Sequence, residues 1–149
     1  MAAFIGSAQI TEEALAAATA ETLIQLVAVA NHRVKVLRWG VSFDGVSVTA
    51  EPVQIRLLRQ TTAGTGAALT PVKMDDSIAD TLLTTAQQDF TAEPTAGDVL
   101  ESYEVHPQQG VVMMYPLGQE PIIGGGDRMG IEVTAPAVVN ARAFFVFEE

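Results

Sequence analysis

Large apolar residues fall on alternate positions through much of this chain. Within residues 31–45, Leu37, Trp39, Val41 and Phe43 occupy odd positions with Arg38 and Ser42 between them. Period-two alternation marks a strand with one buried face, and Asp44 with Gly45 supplies the turn that ends it. The pattern recurs after residue 21. Residues 22–29 form a β-branched and leucine-rich run, and Val53, Ile55 and Leu57 share one face. Residues 68–73 read as a short strand that Pro71 confines to an edge. Residues 99–105 and 110–115 read as two strands joined at 106–109. Residues 121–123 enter a glycine turn that leads to a strand over 129–134. In the last strand, 140–147, Phe144, Phe145 and Phe147 leave neither face fully polar. Short strands at this spacing predict an all-β, single-domain β-sandwich over 21–149, and their number favours a jelly roll.

Two stretches break the pattern. In residues 1–20, Thr11 offers a cap, Glu12 and Glu13 a first turn, and 14–18 good helix formers. A short helix is expected there, or an arm that orders only against a neighbouring subunit, because an alanine face buries little area. Residues 75–90 are ambiguous: Asp75, Asp76 and Ser77 suit the cap of a short helix through Ile78, Leu82 and Leu83, whereas Thr81, Thr84 and Thr85 weaken it.

Composition changes the picture in one respect. The chain is 48% hydrophobic and only 17% charged, against roughly a quarter charged in an average domain. Surplus apolar surface fits a subunit interface, so a homo-oligomer is expected. Eighteen acidic against eight basic residues give a net charge of −10. A phosphate-binding face needs clustered Lys and Arg, so nucleic acid is not an expected partner. The chain has no cysteine, hence no disulfide or thiolate chemistry. Residues 23–30 are too short to cross a membrane, and the first residues lack a secretion pattern.

Candidate chemistry is sparse. Asp75, Asp76 and Asp80 form the densest acidic group but lack calcium-loop spacing. Asp44 and Asp127 stand beside glycines as turn residues. Gly124, Gly125 and Gly126 lack the Gly-Lys-Ser ending of a phosphate loop, so a hairpin or bulge is expected. His32 and His106 are isolated imidazoles without a nucleophile elbow. Trp39, Tyr103 and Tyr115 are the components of a sugar-stacking platform but lie on separate strands, which makes core packing their expected role. No catalytic, cofactor-binding or metal-ligating residue is expected, and no cofactor.

The segments NHRVKVLRWGVSFDG, PVQIRLLRQTTAGT, TAEPTAGDVL and GGGDRMGIEVTAPAVVNARAFFVFEE resemble small jelly-roll virion structural proteins of tailed bacteriophages, including head decoration or cement proteins. The likeness spans roughly residues 22–149. It implies a non-enzymatic virion protein on the outer surface of the head, made in the host cytoplasm, whose partner is the major capsid protein or another shell protein. It also implies a homo-oligomer, with a trimer favoured. A carbohydrate-binding or tail-associated attachment module is the alternative.

Overall fold

The computed structural model describes residues 3–44 and 51–149, so Gly45 of the expected turn lies outside the described residues. Thirteen strands and no helix are found among the described residues. In chain order they are β1 (Ile5–Gln9), β2 (Glu13–Leu15), β3 (Ala20–Val27), β4 (Val34–Phe43), β5 (Val53–Gln60), β6 (Thr65–Leu69), β7 (Val72–Lys73), β8 (Thr85–Ala92), β9 (Ala96–Val105), β10 (Gly110–Met114), β11 (Ile122–Ile123), β12 (Arg128–Thr134) and β13 (Val139–Glu148). The first sheet has the order β10-β4-β13-β1-β7, with β11 also on β4 and β2 also on β13. The second has the order β6-β8-β3-β12-β5-β9. All ladders are antiparallel. The expected β-sandwich is therefore the fold.

Alternation places the core. Val34, Val36, Trp39, Val41, Phe145 and Phe147 enter it from the first sheet, and Ile24, Leu26, Ile55, Leu57, Met129 and Ile131 from the second. One expected face needs correction. Leu37 does not share the inward face of Trp39, because the register of β4 against β13 slips between the pairs Phe147–Val36 and Val146–Arg38. The extra residue is a β-bulge at Leu37, which resets the alternation so that both Val36 and Trp39 point inward.

Residues 1–20 also need correction. No helix starts at Thr11, and the segment is not a free arm. β1 and β2 run successively along β13, with Ile10 N–H donating to Ala143 O at 3.1 Å between them. Ala8, Ile10 and Leu15 are buried in the core. A helix here would bury only alanines, whereas extended pairing puts Ile10 and Leu15 into the sandwich and satisfies the β13 edge. Residues 75–90 hold no helix either, and from Thr85 onward they enter strand β8. The expected strand over 68–73 is two strands, β6 and β7, which lie in different sheets. They part at Thr70 and Pro71, where proline removes a ladder donor.

The outer face of the second sheet is covered by the chain itself. Loops 61–64 and 93–95 are tied by Thr61 N–H to Thr95 O (2.9 Å) and Thr95 N–H to the Thr62 hydroxyl (2.8 Å). Beneath them Gln25 donates to Gln60 Oε1 (2.7 Å) and to Thr62 O (3.1 Å), and Gln60 donates to the Thr22 hydroxyl (3.1 Å). A Cβ at Gly130 would collide with the Gln60 amide. Glycine there makes room for this buried polar network. Glu132 beside it is paired with Arg56, whose Nε donates at 2.9 Å.

Candidate functional site

The residues singled out by sequence are dispersed, with one exception. Asp75 accepts from Ser77 N–H (3.0 Å) and the Ser77 hydroxyl (2.6 Å), a local turn that holds its carboxyl below the ordinary value. The carbonyls of Ile78 and Asp80 are held by Lys73. Asp44 accepts from Asn140 (3.3 Å). Asp127 N–H closes the glycine turn on Gly124 O (2.9 Å). A Cβ at Gly125 would come within 2.6 Å of Asn31 N, so the turn packs directly on the β3–β4 connection. His32 is exposed, and His106 caps its own turn by accepting from Gln108 N–H at 3.2 Å. Among the described residues, no three His, Cys, Asp or Glu side chains converge to hold a metal ion.

The exception is aromatic. Trp39 from β4, Tyr103 from β9 and Tyr115 just after β10 meet between the two sheets. Trp39 Nε1 donates to the Tyr115 hydroxyl at 2.9 Å, and its ring centroid lies 6.0 Å from that of Tyr103 at a tilt of 50°. Tyr103 in turn donates to Glu101 at 3.2 Å. Burial, reinforced by Glu101, raises both phenol pKa values, that of Tyr115 far more. Trp39 is 0% exposed, so its face is not offered to a sugar. The cluster closes the sandwich at the β9–β10 flank.

A second group was invisible in the sequence because its members are up to eighty residues apart. Glu13, Glu21, Asp89 and Glu93 gather where β2 and β3 approach β8. Glu21 accepts from Ala16 N–H (3.2 Å) and Glu93 from Thr22 N–H (2.8 Å), while Glu13 Oε2 is buried without a partner. Burial, then repulsion from Asp89, Glu21 and Glu93, pushes Glu13 from 4.5 to about 7. The native state thus binds this proton more tightly than the unfolded chain, and stability falls as pH rises through that window. The cost is absent below the lower value and complete above the upper one. Glu13→Gln is expected to raise stability by about 1 kcal/mol at pH 8, discounted for the open side of the site. It should change little near pH 4, as urea midpoints at the two pH values would read.

The remaining feature is a surface. On the outer side of the first sheet, Phe144 lies across Gly40, where a Cβ would strike its ring. The Arg38 guanidinium sits 5.5 Å from the Phe144 ring centroid. Beside them the sheet ends at β10, whose Val112 and Met114 are 63% and 66% exposed, and Leu117 at the following turn is 95% exposed. Apolar side chains exposed together in this way make a candidate interaction surface. The uncharged run Gly110-Val111-Val112-Met113-Met114 was a signal for it in the sequence. Separately, a cavity of about 410 Å³ is lined by Arg59, Thr61, Gly97, Asp98, Asp127 and Arg128.

Comparison with known proteins gives no matching family model, no matching curated protein and no matching solved structure.

Proposed function

We propose that this chain is a non-enzymatic structural protein of a tailed-phage particle, a decoration or cement subunit that docks on the assembled head and stabilises it. The observation that carries this reading is the outer face of the first sheet, where Val112, Met114 and Leu117 stand exposed beside Phe144 and Arg38. A subunit that works by docking needs such a face and no reactive centre. The resemblance of residues 22–149 to virion proteins supports the same role.

The strand order supports a jelly-roll form of the sandwich. Setting aside the short and inserted strands, β1-β13-β4-β10 faces β3-β12-β5-β9, the order of two nested Greek keys. The partner is the major capsid protein or another shell protein, and copies of the chain associate with one another. The resemblance implies a trimer for that association. With a net charge of −10, free subunits repel nucleic acid until they dock.

Binding only to the assembled shell would stabilise it by mass action. Particles lacking the protein are expected to rupture at lower temperature than complete ones, read by dye access to packaged DNA during heating. Equal rupture temperatures would overturn the stabilising role, and absence of the protein from purified particles, by mass spectrometry, would overturn the virion assignment.

A further inference from the structure

The geometry points to the free edge of β10 as the contact between two copies of this chain, paired antiparallel about a twofold axis through Val112. The inference rests on the self-association part of the reading above and gives it a different symmetry from the trimer.

Among the described residues the edge is open, and its free groups can be assigned. Phe43 N–H donates to Gln109 O (3.2 Å), and Tyr115 N–H donates to Leu37 O (3.2 Å). Bonded and non-bonded pairs alternate along an antiparallel ladder, so the odd residues of β10 are those bonded to β4. Gly110, Val112 and Met114 therefore turn their N–H and C=O groups to the other side, where β10 ends the sheet among the described residues. Native edges are ordinarily guarded by charge, proline or a covering loop. β9, the neighbouring edge, carries Asp98, Glu101 and Glu104, whereas β10 carries no charge and no proline.

Three features select a second copy as the occupant. Under a twofold through Val112, Val112 faces the partner's Val112, and Met114 faces the partner's Gly110, so the largest side chain meets the smallest. The same register lets the three free residues of each copy exchange backbone bonds in full. Charge also permits the approach. The adjoining outer face carries Lys35, Arg38 and Arg142 against Glu148 and Glu12. It is close to neutral on a chain of net charge −10, so copies meet there without the repulsion their other surfaces would impose. The contact is isologous and closes at two subunits.

Sedimentation of the free protein should show a dimer that dissociates on dilution. Val112→Cys gives a direct reading, since the chain has no cysteine of its own. Residues bonded across an antiparallel ladder have Cα atoms ~5.5 Å apart, within the disulfide range. Mild oxidation should therefore cross-link V112C into a dimer much faster than V138C, a control at an exposed residue away from the edge. Val112→Lys should weaken self-association by ~10-fold or more, through like charges directly opposed, with the circular dichroism spectrum unchanged. A monomer or a trimer in sedimentation, or V112C cross-linking no faster than V138C, would overturn the inference. Because these readings are made on the free protein, they stand or fall separately from the shell role, which is read on particles.

Discussion

Trp39→Ala is expected to destabilise the protein by ~3–5 kcal/mol, the range for large aromatic truncations in cores. The side chain is fully buried and lies in register with Phe145 on β13 and Met113 on β10. Truncation would leave a cavity between those strands and the Tyr103 ring. It would also remove the indole N–H that the half-buried Tyr115 hydroxyl accepts, at the further cost of one hydrogen bond. Trp39→Phe should lose less, because most of the apolar area stays while the hydrogen bond goes. Urea unfolding measures both, as a shifted midpoint at constant slope. The native tryptophan emission should be that of a buried indole. A loss under ~1 kcal/mol for W39A would contradict the packing described, given the cavity expected from so large a truncation.

Deletion of residues 1–20 is expected to abolish cooperative folding. The deletion removes β1 and β2, exposes the full length of β13 as an edge, and takes Ala8, Ile10 and Leu15 out of the core. Burying an Ile or Leu side chain contributes roughly 1.5–3 kcal/mol, and the whole stability of a domain is about 5–15 kcal/mol. Losing two such side chains together with a ladder leaves little margin. Leu15→Ala alone should cost ~2–5 kcal/mol while keeping a cooperative transition, which separates loss of packing from loss of the strand. A truncated protein that melts at the full-length temperature would show that the segment is dispensable to the core.

These two experiments fall on opposite sides of what was legible. The burial of Trp39 could be read locally, because alternation within one strand is a property of neighbouring residues. Val53, Ile55 and Leu57 were legible in the same way, and so was the glycine turn at 124–127, where local backbone demands select the residue. The role of residues 1–20 was not. Thr11, Glu12 and Glu13 followed by alanines are good helix formers, and the preference is overridden because β13 presents an unpaired edge more than a hundred residues away. The bulge at Leu37 escaped for a related reason: nothing in the run 34–43 says where the partner strand will slip.

The candidate surfaces divide along the same line. Sequence identified Trp39, Tyr103 and Tyr115 as residues of interest but placed them on separate strands, and the sandwich brings those strands together at one flank. The acidic group around Glu13 draws on β2, β3, β8 and the loop after it, so no window of sequence contains it. β10 was legible as a strand, but its position at the end of a sheet was not.

By itself, then, the sequence determined that this chain is all-β, where most of its strands lie, and which faces of them turn inward, since those follow from periods of two and from turn residues. The tertiary structure alone decided which strands are neighbours, that the first twenty residues join the core, and that an uncharged strand is left at an edge. Strand pairing joins backbone groups that are common to every residue, so side-chain pattern carries little record of the partner, and only closure of the whole sandwich selects it.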